Sequence, residues 1–207
     1  MATRTSAADF PICGGHLALD FVNTQGGPLE GPPAPKDEGL NDYEDLARWL
    51  RRLEVISDDE AAALEHMASA HPRDAGRALS KTRKLRELVY EVMRPLADGR
   101  QPEPEALERL RDREREALRH GRLEPDHSGM SWSWPLDSLE APLWPLSHAA
   151  VELLTHGPLE RLKVCAACRW LFLDESRNHS RRWCSMDECG VSIKKQRYVE
   201  RRRARQR

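Results

Sequence analysis

The sequence predicts an α+β chain: a predominantly helical N-terminal domain with a small sheet, followed by a short C-terminal module held together by cysteines. Three observations carry this. Apolar residues recur at helical spacing through most of residues 1–158, two short alternating stretches break that pattern, and four of the five cysteines fall in two close pairs after Val164. With 39% hydrophobic and 32% charged residues, 207 residues suffice for one medium domain and a small appendage, and no apolar run could span a bilayer.

In chain order, residues 1–10 read as a loose tail. Pro11 to Thr24 follows as Pro-Ile-Cys-Gly-Gly-His-Leu-Ala-Leu-Asp-Phe-Val-Asn-Thr. Leu17, Leu19 and Phe21 alternate with His16, Ala18 and Asp20, which favours a strand over a short buried helix. Residues 25–39, rich in Gly and Pro, form a loop. Helices come next. Asn41 with Glu44 makes a capping box ahead of a stripe of Tyr43, Leu46, Ala47, Leu50 and Leu53. Ser57 with Glu60 repeats the signal before Ala61, Leu64 and Met67. Pro72 opens a third helix, whose Leu85, Leu88, Val89 and Val92 share a face until Pro95 ends it. Pro104 opens a fourth, with Leu107, Leu110, Ala117 and Leu118 facing inward. Met130, Trp132 and Trp134 alternate with serines and are expected to form a strand that pairs with residues 17–21. Leu146, Ala149, Ala150, Leu153 and Leu154 make a last helix before Gly157-Pro158 breaks it. The domain boundary is placed there, dividing 1–158 from 159–207.

Cys165 and Cys168 are two residues apart; fifteen residues later come Cys184 and Cys189, four apart. Two close pairs around a short insert suit a tetrahedral thiolate site for zinc. Trp170 to Leu173 reads as one arm of a hairpin, and Ile193 to Arg205 has helix-forming composition. Knuckle, hairpin and helix in that order describe a treble-clef finger. The alternatives are a disulfide framework or four buried free thiols. No secretory signal is present, so a cytoplasmic, reducing setting is expected, in which disulfides are rare. A module this small also needs a cross-link or metal to fold. His179 could replace one sulfur, although with four cysteines present it is expected to cap or face solvent. A closed four-thiolate shell leaves no position for a reactive water, so the zinc is structural. Its loss is expected to unfold the finger and leave the helical domain standing.

The net charge of −1 conceals two halves of opposite sign: +9 from Arg161 to Arg207 and −10 over the remainder. Lys194, Arg197 and Arg201 fall along one stripe of the final helix, and Lys195 and Arg202 along its neighbour. Arg181 and Arg182 lie just before the third cysteine, separated from it by Trp183. Cations spaced along a metal-stiffened element suit the phosphates of a nucleic acid, where counterion release supplies most of the affinity. The bland alternative is a solvated tail. In the N-terminal domain, capping or turn bonding accounts for Asp20 and Asn23. The functional alternative has them line a small-molecule pocket, with Trp49 or Trp132 as its apolar wall.

The C-terminal segment resembles the CGNR zinc finger family. The matching residues are Cys165, Cys168, Phe172, Asp174, Ser176, Arg181 or Arg182, Trp183, Cys184, Ser185, Met186, Cys189 and Gly190. Val191 and Ser192 stand where that family carries the asparagine and arginine that name it. The run from Gly15 through Leu17-Ala-Leu-Asp-Phe-Val-Asn-Thr24 resembles the opening of the ABATE domain, the usual companion of this finger. Together the resemblances imply a stress-induced transcriptional regulator that binds DNA and carries an N-terminal ligand-sensing domain. A single small finger buries limited surface, so a sequence-specific regulator is expected to dimerise or use several copies. Two other classes remain: a protein-interaction adaptor, and an enzyme such as a His-Asn-His nuclease suggested by Asn178-His179. The second is not expected, because no phosphate loop or hydrolase motif appears.

Overall fold

A computed structural model describes residues 6–126 and 129–195. Six helices form most of it: α1 (Leu17–Val22), α2 (Tyr43–Arg52), α3 (Asp58–Ala70), α4 (Pro72–Ala97), α5 (Pro104–His120) and α6 (Leu143–His156). Two antiparallel hairpins complete it, β1 (Arg122–Asp126) with β2 (Gly129–Ser133), and β3 (Leu162–Val164) with β4 (Leu171–Leu173).

Local chemistry explains most helix starts. Ser57 and Glu60 form the expected capping box at α3, and Pro72 and Pro104 open α4 and α5. At α2 the start lies one residue later than expected. Asp42 caps the helix by accepting from the Asp45 N–H at 2.9 Å, and the Asp45 carboxylate reaches back to the Asn41 N–H at 3.0 Å. Pro95 does not end α4, because it lies in the final turn, and the chain leaves the helix at Gly99 with φ +72°.

Three further expectations are corrected. Residues 17–21 form a helix, not a strand: His16 Nδ1 accepts the Ala18 N–H, and Ala18, Leu19, Phe21 and Val22 are all buried. The alternation misled because Ala18 and Val22 are buried too, which a one-sided strand does not permit. Consequently Met130 and Trp132 pair with β1 rather than with residues 17–21. Leu107 and Leu118 flank the buried side of α5 and remain exposed, while Ala106, Leu110 and Ala117 face the core. Of the supposed tail, residues 7–9 form a 3-10 turn whose Ala7 is fully buried; residues 1–5 lie outside the described part.

The core is continuous across the chain. α1 packs against α4 and α6, and its remaining side meets β4; β3 lies against α4. Leu162, Leu171 and Leu173 of the second hairpin belong to the same buried cluster as Leu19, Val89 and Leu153. An ion pair is buried near α1. Arg86, only 2% exposed, donates Nη1 to Thr24 Oγ1 (3.1 Å) and Glu38 Oε1 (2.6 Å) and holds the other Glu38 oxygen with Nη2. Burial works to raise the Glu38 carboxyl, but the Arg86 guanidinium outweighs it and holds the group below the usual range.

Candidate metal centre

β3 and β4 carry the first cysteine pair between them. Cys165 follows β3 directly, its N–H donating to the Trp170 carbonyl at 2.9 Å, and the chain turns through Cys168 into β4. Side chains alternate along β4: Leu171 and Leu173 face the helical core, while Phe172 faces Cys165, Trp170 and Cys184. One three-residue strand thus serves two cores. The second pair sits on helical backbone. Ser185 caps it by accepting the Glu188 N–H, Met186–Gly190 form a wide turn, and residues 191–195 continue as helix.

The four sulfurs converge. Cys168 and Cys184 are 3.7 Å apart, Cys184 and Cys189 3.7 Å, and Cys189 and Cys168 3.6 Å. With Cys165, all four lie within 4.8 Å of one another. A tetrahedron with zinc–sulfur bonds of about 2.3 Å has edges of about 3.8 Å. The spacing therefore fits zinc, and it is far too long for a disulfide of about 2.05 Å. Four thiolates this close repel one another unless a cation sits between them. His179 is exposed, with φ +48°, and its carbonyl accepts from Lys163 Nζ; it is not part of this set.

Two polar residues brace the loop between the pairs. Asp174 is fully buried, accepting from Ser176 N (2.9 Å), Arg181 N (3.0 Å) and Lys163 Nζ (2.5 Å). Burial pushes its carboxyl upward, but the Lys163 ammonium and the Ser176 and Arg181 contacts prevail and hold it well below the usual range. Arg181, expected from the sequence to touch phosphate, is committed inside the protein. Its Nε donates to the Trp183 carbonyl (3.0 Å), Nη2 donates to the carbonyls of Cys13 (3.0 Å) and Cys184, and its guanidinium lies 4.3 Å over the Phe172 ring. Sequence reasoning assigned neither residue this bracing role, although both lie in the finger motif.

The finger is fastened to the helical domain mainly through residues 13–25, with one further contact at Tyr90. Asn23, 2% exposed, pairs with both backbone groups of Leu171: its Oδ1 accepts the N–H at 2.9 Å and its Nδ2 donates to the carbonyl at 2.8 Å. The side chain thereby imitates a neighbouring strand along the free edge of β4. The Leu173 N–H donates to the Gly14 carbonyl (2.8 Å), and Trp170 Nε1 donates to the Gln25 carbonyl (3.0 Å). Arg169 bonds Gln25 Oε1 at 2.7 Å and lies 4.1 Å over the Tyr90 ring. Asp20 Oδ1 accepts the N–H groups of Cys13 (3.0 Å) and Gly14 (2.8 Å), which folds that loop back onto α1. Burial nevertheless raises the Asp20 carboxyl above its usual value.

The four residues considered as a ligand pocket are not brought together. Trp49 packs in the core with its ring centroid 5.9 Å from that of Phe21, and Trp132 lies on the first hairpin against Trp134 and His148. Asn23 is committed to Leu171. Asp20 alone lines a cleft, of about 580 Å³, at the seam between the helices and the finger. Among the sequence-designated cations, Arg182, Lys194 and Lys195 are exposed; Arg197, Arg201 and Arg202 lie outside the described residues.

Fold and site together define a helical domain with a four-thiolate finger docked on it. Residues 15–157 match the ABATE model, described as "Putative stress-induced transcription regulator", and residues 161–202 match the CGNR zinc finger. The chain belongs to the ABATE family. The finger match and the converging thiols assign the site one structural zinc, held by Cys165, Cys168, Cys184 and Cys189. Among curated proteins, none matches the chain. No described helix is long and apolar enough to cross a membrane.

Proposed function

We propose that the protein is a DNA-binding transcriptional regulator whose finger presents a cationic helix to the phosphate backbone. The observation that carries this reading is the position of Lys194 and Lys195. Both are exposed on helix that continues directly from the Cys189 turn, so the metal fixes where that helix begins. Arg182 adds a third exposed cation beside the third cysteine. The chain beyond carries Arg197, Arg201 and Arg202, giving a run of positive charge opposed to the acidic N-terminal part. The closed thiolate shell offers no position for a metal-bound water, which supports a regulator rather than a hydrolytic enzyme.

The test is anisotropy of a labelled mixed-sequence duplex titrated with zinc-loaded protein across a salt series. Affinity should fall with salt, each phosphate contact contributing about −0.9 to the logarithmic slope. Neutralising Lys194, Lys195, Arg201 and Arg202 should flatten the slope by about three to four without releasing zinc. Absence of binding at low salt would instead favour an adaptor that meets an acidic protein. Val191 and Ser192 are exposed, so replacing them by asparagine and arginine should alter DNA affinity and leave zinc content unchanged. We place any small-molecule sensing at the seam cleft, where a ligand would touch Asp20 and the finger at once. Dimerisation on DNA, read by light scattering, belongs to the same proposal.

A further inference from the structure

We infer that Cys13 and the zinc ligand Cys184 form a peroxide-responsive disulfide that dismantles the metal site. The fifth cysteine carries no spacing signal in the sequence, being remote from the other four, yet the fold delivers it to them. Cys13 packs against the cluster of Cys165, Trp170, Phe172 and Cys184.

The backbones are held together as well. A single nitrogen, Arg181 Nη2, donates to the carbonyls of both Cys13 and Cys184, so the two residues are bound to one point. A disulfide spans Cα atoms roughly 4.4–6.8 Å apart, and the shared donor keeps the Cys13 and Cys184 carbonyls neighbours. Access differs between the two thiols. Cys184 is 1% exposed, whereas Cys13 is half-buried and lines the seam cleft with Ile12, His16 and Glu175. Hydrogen peroxide therefore reaches Cys13 before Cys184.

The chemistry balances. The Cys13 sulfur attacks one peroxide oxygen; the O–O bond breaks, giving a sulfenic acid and hydroxide, and the thiol proton converts that hydroxide to water. The Cys184 thiolate then attacks the Cys13 sulfur, a second hydroxide leaves and takes a proton from solvent, and the S–S bond forms. Two thiols have lost two electrons and one peroxide has become two waters. Cys184 no longer ligates, and three remaining thiolates hold zinc far less well than four. The helix that begins at the Cys189 turn then loses its metal anchor.

The inference rests on zinc occupancy, which is measured first, so failure of that reading is seen before oxidant is added. Zinc-loaded full-length protein is treated with a small excess of hydrogen peroxide, quenched with an alkylating agent and mapped without reduction, while a chromogenic chelator reports released metal. The expected result is a Cys13–Cys184 cross-link together with one equivalent of zinc, both reversed by dithiothreitol and added zinc. Cys13→Ser and Cys13→Ala should load zinc fully and release it at least about tenfold more slowly under oxidant. A wild-type map showing Cys184 joined to Cys168 or Cys189 instead would overturn the inference, as would wild-type release rates in both variants. Should either substitution impair folding, the wild-type map decides alone.

Discussion

Replacing Asn23 by alanine tests the docking of the finger at one residue. The substitution removes the partner of the Leu171 N–H and the Leu171 carbonyl together, and Leu171 is fully buried, so water cannot take over. A buried backbone group left unpaired costs about 1–3 kcal/mol. Two of them give a loss of about 2–5 kcal/mol, allowing for local adjustment. At about 2–4 °C per kcal/mol for a chain of this size, a central value near 3 kcal/mol lowers Tm by about 6–12 °C. Urea unfolding at fixed zinc excess supplies the free energy directly, because holding the metal constant removes its mass-action contribution. Asn23→Asp is the sharper control. It keeps an acceptor for the N–H but sets a carboxylate oxygen against the Leu171 carbonyl, so it should rescue nothing. A loss under about 0.5 kcal/mol for the alanine variant, the range of an ordinary surface change, would refute the staple.

Three other perturbations follow the same logic. Glu38→Gln leaves the Arg86 guanidinium buried without its counter-charge, and stability measured by urea unfolding should drop by about 3–5 kcal/mol. Gly14→Ala places a methyl group 2.8 Å from both the Asp20 backbone nitrogen and Leu19 Cβ. Because one of these is backbone it cannot swing aside, so thermal melts should show a loss, whereas Gly76→Ala, in α4 with nothing within 4 Å, should gain stability. Asp174 has a folded pKa depressed below the usual aspartate value near 3.9, so its contribution is complete above that value and fades as pH falls through the folded one. The stability gap between wild type and Asp174→Asn should therefore be constant from pH 7 to 5 and narrow below about pH 4.

The finger was legible because its constraint is chemical: four sulfurs must reach one ion, and that requirement survives as spacing in the sequence. Helices α3 to α6 were legible for a similar reason, each marked by a cap, a proline or a regular apolar stripe. α1 was not. Six residues are too few for a 3.6-residue period to be told from a two-residue one, and all of its apolar residues but Leu17 are buried on every side. The partner of Asn23 lies 148 positions away, so no local pattern could announce it. Arg181 shows the converse limit. An arginine beside a zinc ligand in a basic segment has the composition of a phosphate contact, and only the four carbonyls around it reveal a brace. Cys13 was invisible for want of any spacing at all.

The Gly157-Pro158 break separates helices from finger along the chain, yet the hydrophobic core does not break there. A fragment ending at residue 158 would lack Leu162, Leu171 and Leu173, three side chains in the main cluster. Each fully buried leucine is worth about 1.5–3 kcal/mol, so the cut removes about 5–9 kcal/mol. That is comparable to the entire stability of an ordinary domain, about 5–15 kcal/mol. It also strands Asn23 and the Gly14 carbonyl. The fragment should therefore bind a hydrophobic dye and unfold without a cooperative transition, rather than persist as the independent domain that the sequence suggests. A soluble fragment with a sharp urea transition would show that the docking is superficial. If the fragment behaves as argued, zinc and the helical core share one free energy. By reciprocity, whatever occupies the seam cleft beside Asp20 and Cys13 must then change the affinity for zinc by the factor with which zinc changes its own.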